Sequence, residues 1–317
     1  MSQIQETHGD VSSLVDAAAE ADASSRKLSI WERLLQDKSV VIGGSIMAFM
    51  VLLSIMAPLL GTMDPSEIDP TYRNKTPGFE KVWTDEDDKE QSWAFRMGTD
   101  TLGRDTYSRV IYGTQVSLIV GITVAALSIS LGLVIGMFAG YIRWLDGLVM
   151  RVMDGLMAIP GILLAIALVS LSSAGLDTVI LAITIPEVPR VVRLVRSIVL
   201  SIREEPYVEA AISTGTRLHL ILYRHVLPNT VAPLIVQGTY IVASAILVEA
   251  ILSFLGAGIP PEIPTWGNIM AEGRVLFRIF PHNILFPGIF LAITVLAVNM
   301  LGDGLRDTLD PRLEKRT

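Results

Sequence analysis

The chain has no cysteine, which excludes disulfide bridges and thiolate-held metal sites. Histidine is almost as scarce: His8, His219, His225 and His282 make up the whole set, and none stands at a metal-ligand spacing. No Gly-Lys-Ser or Gly-Lys-Thr occurs, so no P-loop cradles a nucleotide phosphate, and no Gly-x-Ser-x-Gly turn presents a nucleophile. Charged residues are only 18% of the 317, the net charge is −7 and the pI about 5.2. A nucleic-acid partner would ask for the opposite balance. Nothing here reads as an enzyme, and no cofactor or metal is expected on this chain.

Apolar residues are what it has instead: 51% hydrophobic, with a mean hydropathy of +0.52. Several runs reach the roughly 20 residues that cross a hydrocarbon core of about 30 Å. The expectation is an all-α polytopic membrane protein with six transmembrane helices. Residues 1–27 are Ala, Ser, Asp and Glu without apolar period and read as a disordered tail. Leu28 to Lys38 is expected to be an interfacial amphipathic helix, and Ser39 to Gly61 an uncleaved first span. Residues 62–115 then form a polar loop with eleven acids and seven bases. Within it, Pro77 to Phe95 is conspicuously acidic, either a solvated spacer or a docking surface.

Residues 116–305 are read as the core. Span two, Val116 to Tyr141, carries Ser128, Gly132, Gly136 and Gly140 at intervals of four, a stripe that lets a second helix approach closely. Span three, Met153 to Ala174, contains Pro160-Gly161, where a lost backbone bond predicts a bend. Asp154 either pairs with Arg151 or serves a gate. Span four lacks a long uncharged run. Val191, Val192, Val195, Ile198, Val199 and Ile202 nevertheless share one helical face, with Arg190, Arg193 and Arg196 opposite. It is expected to be kinked at Pro186 or Pro189, with Glu187 neutralising Arg190. Span five runs from Thr230 to Leu255 and carries Glu249, a pathway or gate candidate because ionisable groups at membrane depth are costly. Span six is Ile284 to Leu301, and residues 306–317 form the closing tail.

Between spans four and five lies one polar stretch, Glu204 to Asn229. Pro206 suits a first helical turn behind Glu204 and Glu205. Val208 to Thr214 is expected to form a short helix ended by Gly215 in a left-handed conformation. Thr216 is expected to cap a second helix from Arg217 to Val226, with Pro228 punctuating the next run. A helix–Gly–helix elbow clamped between membrane segments suits docking to a partner.

Glu209-Ala210-Ala211, Gly215 and Leu227-Pro228 resemble the EAA loop of permease subunits in bacterial ABC importers. His225, within Arg224 to Asn229, resembles the dipeptide, oligopeptide and nickel branch. Four further stretches fit: Met97-Gly98-Thr99-Asp100 with Gly103-Arg104-Asp105 and Ser108-Arg109; Glu249 to Gly256; Pro264-Thr265-Trp266-Gly267-Asn268; and Leu301 to Asp307 with Asp310-Pro311-Arg312. The resemblance implies a pore half that pairs with a homologous second permease and docks on two P-loop ATPases, which bind ATP and Mg. It also implies an extracytoplasmic solute-binding protein that delivers solute. Glu209 would anchor the elbow, Ala210 and Ala211 would make close contacts, and Gly215 would be its hinge.

Orientation follows from basic residues. With six spans and the N-terminus inside, inner segments hold 16 of the 25 Lys and Arg, which puts both termini and the elbow on the cytoplasmic side of the bacterial inner membrane. An ion-driven secondary transporter would instead place ionisable groups at paired broken helices. Asp154, Glu187 and Glu249 are scattered, and no repeated half is visible. A purely structural scaffold would leave the elbow unexplained.

Overall fold

Helices longer than a bilayer is thick dominate the computed structural model, which describes residues 30–84, 90–173 and 175–309. The expected tail 1–27, the acidic Asp85 to Asp88, Ala174 and the Asp310-Pro311-Arg312 motif lie outside the described residues.

Helix α1 (Ile30–Gln36) leads into α2 (Lys38–Met56), which Asp37 caps by accepting from the Ser39 and Val40 N–H groups. The polar segment that follows is folded rather than loose. It carries a two-stranded antiparallel hairpin, β1 (Phe79–Thr84) against β2 (Glu90–Phe95), in the register Phe79 to Phe95. Lys81 of β1 reaches the Asp69 carboxylate at 2.8 Å, and Tyr72 packs on Phe79 and Phe95. The hairpin and a single antiparallel bridge between Thr99 and Asp105 are the departures from an all-helical reading among the described residues.

Helix α3 (Thr106–Tyr141) starts ten residues before the expected Val116. Asp105 caps it, taking the Tyr107 and Ser108 N–H groups at 3.3 and 3.1 Å. Apolar periodicity missed this first turn because Arg109 is buried among backbone carbonyls and carboxylates, not apolar side chains. The expected third span is broken: α4 (Arg143–Met157) and α5 (Gly161–Ser170) meet at 85°. Pro160 lacks an N–H and disfavours helical backbone at Ile159, so the chain turns there instead of bending gently.

Helix α6 (Leu176–Arg203) keeps Pro186 and Pro189 inside 28 continuous residues. Val191, Val192, Val195, Val199 and Ile202 are buried as expected, and Ile198 is half-buried. They meet the α3 stripe residue for residue: Gly132 faces Val191, Gly136 faces Val195 and Gly140 faces Val199. With no hydrophobic drive between helices in lipid, such close approach lets dispersion hold the pair. The short helix α7 (Pro206–Ser213) and a helical turn, α8 (Leu218–Ile221), form the elbow. Leu222–Val226 is a π-helical turn that passes without interruption into α9 (Leu227–Phe254). Two expectations therefore need correction. Thr216 caps nothing, since Arg217 occupies the N-cap position without a side-chain bond, and Pro228 lies in the first turn of α9 rather than between helices. Helix α10 (Trp266–Gly273) and α11 (His282–Leu309) complete the bundle.

By length and composition, four of the described helical stretches can cross a membrane, and the bent α4–α5 pair would be a fifth. The remaining expected span, α6, is long enough but carries the three arginines. The main core joins α3, α6 and α9 through Val120, Val124, Ile183, Val195 and Ile241.

Candidate functional sites at the two ends of the bundle

At one end the elbow projects from the bundle. Pro206 opens α7 at its first turn, and Val208, fully buried, is its one anchored side chain. Glu209 and Ala210 are exposed and Ala211 is half-buried. The helix closes with a paired backbone motif: Gly215 donates to Ile212 O at 2.9 Å and Thr216 to Ala211 O at 3.0 Å. That geometry needs Gly215 at φ +77°, where a side chain would be strained. Nothing lies within 4 Å of a Cβ placed there, so backbone conformation, not crowding, demands the glycine. The Tyr207 ring packs at 5.6 Å on His225 of the π turn, tying the two halves of the elbow together. Leu227 is half-buried and Pro228 exposed, so of the expected elbow set all but Ala211 and Leu227 are exposed.

Tyr207 and Ile212, on the same short helix as Glu209, and Tyr223 of the π turn add exposed apolar surface. A groove beside them is lined by Arg143, Asp146, Arg203, Glu209 and Ile212. Arg203 is fixed at its rim, donating to Tyr141 O at 3.2 Å and lying over the Tyr141 ring. An exposed apolar face thus lies beside a charged groove.

The opposite end holds an ionic cluster that sequence reasoning did not assemble. Asp100 accepts from Leu102 N, from Arg104 N and, at 2.6 Å, from Arg104 Nε. Arg104 also pairs with Glu272 of α10. Arg109, fully buried, donates to Pro65 O and to Pro261 O at 3.2 Å each, and its guanidinium stands 3.7 Å from Glu272. Burial alone would depress Arg104, but the charges of Asp100 and Glu272 outweigh it and raise its pKa. Burial raises Glu272 against the pull of Arg109 and Arg104, and it raises Asp105 against the bonds from Ser108. The Gly103-Arg104-Asp105 and Ser108-Arg109 signature is thus a clamp joining the hairpin segment to α10. Its sequence signal was visible, but Glu272, 168 positions from Arg104, was not linked to it.

Glu249 is fully buried in α9. Its Oε1 accepts from Ser253 Oγ at 2.8 Å and its Oε2 has no partner. Next to it, Thr265 caps α10, Trp266 Nε1 donates to Val110 O at 3.1 Å and Asn268 Nδ2 reaches Ile259 O at 3.0 Å. Asp154 pairs not with Arg151 but with Arg193 of α6, at 2.6 Å, with both side chains largely in solvent. Such a pair contributes little. Glu187 does meet Arg190, at 3.1 Å. Asp154, Glu249 and the elbow residues are not brought together. Among the described residues no group of His, Asp and Glu is arranged to hold a metal ion.

Comparison with known proteins supplies the rest. Residues 132–315 match the family described as binding-protein-dependent transport system inner membrane component. Residues 28–77 match the N-terminal transmembrane domain of oligopeptide transport permease C. A probable peptide ABC transporter permease protein, y4tQ of Sinorhizobium fredii, is 51% identical over 277 residues, 87% of this chain and 90% of the relative. The dipeptide transport system permease protein DppC of Alkalihalophilus pseudofirmus is 39% identical over 285 residues, 90% of this chain and 89% of the relative. Among solved structures, the inward-facing MetNI methionine ABC transporter shares the fold, with a TM-score of 0.52 at 19% identity over 64% of this chain and 97% of that one. With an exposed elbow at one end, a long-helix bundle and matches across nearly its whole length, the chain belongs to the family of inner membrane permease components of binding-protein-dependent ABC transporters.

Proposed function

We propose that this chain forms half of the translocation pathway of an ATP-driven importer of peptide-like solutes, and that its elbow couples the pathway to separate ATPase subunits. In this reading it pairs with a homologous permease, two P-loop ATPases carrying ATP and Mg dock beneath, and a solute-binding protein delivers from the other side. The chain crosses the bacterial inner membrane six times, with the bent α4–α5 pair and α6 as two of the spans and both termini cytoplasmic. The observation that carries the reading is the elbow itself. It has one buried anchor, a glycine-closed end and a charged groove beside an exposed apolar face. Relatives named for peptide, dipeptide and glutathione transport support the solute class.

Physically, the ATP-bound and ATP-free partners must contact the elbow differently, because a partner that bound both pathway states equally would shift nothing. Glu209 supplies a charge that an ATPase cleft can recognise, and exposed Ala210 offers only a methyl group to a close approach.

The test is co-purification of the tagged chain from its own membranes, wild type against Gly215→Pro. Proline cannot adopt the positive φ of Gly215, and its missing N–H removes the bond to Ile212 O. Wild type should bring a second permease and P-loop ATPases, and the variant should keep the former and lose the latter. If wild type brings no ATPase, and uptake collapses with proton ionophores rather than with ATP depletion, the importer reading is wrong.

A further inference from the structure

Glu187 and Arg190 stand one turn apart halfway along α6, beside the break between α4 and α5. They are the twelfth and fifteenth of its 28 residues, so on the spanning reading above they lie near the middle of the bilayer. The Glu187 side chain is 8% exposed and accepts from Arg190 Nη1 at 3.1 and 3.2 Å and from Ser244 Oγ at 3.2 Å. Arg190 is different: its side chain is 56% exposed, and its Nε and Nη2 make no hydrogen bond among the described residues.

Arg190 lines a cleft of about 290 Å³, whose walls include Met157, Pro160, Gly161, Pro186, Ser244 and Val248. The volume lies at the lower edge of the roughly 300–1,000 Å³ of small-molecule sites, and apolar residues set beside a few convergent polar groups are the usual composition of such a site. Arg193 and Arg196, farther along the helix, do not line the cleft and are taken up by Asp154 and Asp146 of α4. A guanidinium at mid-depth is too costly to leave in lipid, so it faces water or a ligand. Its planar fork matches a carboxylate, and a neighbour that occupies only one nitrogen steadies the fork without filling it.

We propose that Arg190, oriented by Glu187 and Ser244, forms a solute-contact site in this cleft and takes the carboxylate end of a small zwitterionic, peptide-like solute in transit. This rests on the importer reading above and deepens it. Apolar walls accept varied small side chains, while the charged end is what the site reads.

The test uses the complete transporter, purified with its partners and reconstituted in liposomes, with dialanine and dialaninamide as probes. Because the chain has no cysteine, Arg190→Cys gives it a single thiol, whose labelling is read on this chain by mass. The variant should assemble normally and lose dialanine uptake by about tenfold or more, the value of a charge-assisted pair, while dialaninamide uptake changes little. Aminoethyl methanethiosulfonate should label the introduced thiol from water and restore dialanine uptake, and the sulfonatoethyl reagent should label without restoring. Arg190→Lys should fall between, and Leu181→Cys, on the exposed apolar side of α6, should mark background labelling.

Equal loss for both probes would overturn the site. A thiol in Arg190→Cys that is unreactive to both reagents, or equal rescue by either adduct, would also overturn it. If the wild-type complex shows no ATP-driven uptake of peptides, the importer reading itself fails and this site fails with it.

Discussion

The seam between α3 and α6 allows a quantitative test. A Cβ added at Gly136 would stand 2.8 Å from Val195 Cβ, 3.0 Å from Val195 Cγ1 and 2.9 Å from the Val192 carbonyl oxygen. Comfortable carbon contacts lie at about 3.5–4.0 Å, so the helices must part by most of an ångström, and the neighbouring Gly132 and Gly140 contacts loosen with them. Overpacking of this kind costs about 1–3 kcal/mol, against up to about 1 kcal/mol gained by alanine over glycine within a helix. Gly136→Ala should therefore destabilise the protein by about 0.5–2 kcal/mol, and Gly136→Leu by more. The assay is equilibrium unfolding in mixed detergent micelles, completed as a cycle with Val195→Gly. Moving the side chain from α6 to α3 relieves the carbon clash but leaves the Val192 oxygen in place. The double variant should then be more stable than the summed single effects by about 1–2 kcal/mol. Additive effects, or a neutral Gly136→Ala, would refute the account of the stripe as a close-packing device.

Two further outcomes concern the clamp at the opposite end. Arg104→Met removes the cation between Asp100 and Glu272 and should cost about 3–5 kcal/mol in thermal or detergent unfolding, the usual result of leaving buried charge unpaired; a loss below about 1 kcal/mol would mean the pairs are solvated. Asp105 titrates above its ordinary 3.8 because it is buried, so the folded state binds its proton more tightly than the unfolded chain. That stability is fully present below the ordinary value and is lost as pH rises through the raised one. Asn caps a helix as well as Asp, so the stability of wild type relative to Asp105→Asn should decline across that window, and a flat difference would contradict the burial argument.

Legibility in the sequence followed the range of each interaction. The Ser128–Gly140 stripe, the valine face of α6 and the Glu187–Arg190 pair all lie within a few turns of one helix, where period alone reveals them. Gly215 was legible for the same reason: a positive φ is a local demand. The first turn of α3 was hidden because Arg109 owes its burial to carbonyls of Pro65 and Pro261, which are distant in sequence. Likewise Asp154 found Arg193 rather than Arg151, a partner on another helix that no spacing rule encodes. The turn at Pro160 was expected as a bend; the proline marks the break, but no local spacing rule gives its 85°. The merging of the second elbow helix with α9 was missed because Pro228 reads as punctuation, whereas the π turn at Leu222–Val226 carries the helical path past it.

That merger has a mechanical consequence. From Leu218 to Phe254 the helical path runs unbroken for 37 residues, a rod of roughly 55 Å. A tilt of about 10° imposed at the elbow would sweep the far end through roughly 10 Å by the same geometry. The far end is where Glu249, Ser253 and the α10 contacts are buried. The π turn at Leu222–Val226 sits at the fulcrum of this lever, and its looser backbone bonding is where such a rod can absorb a change of register without snapping.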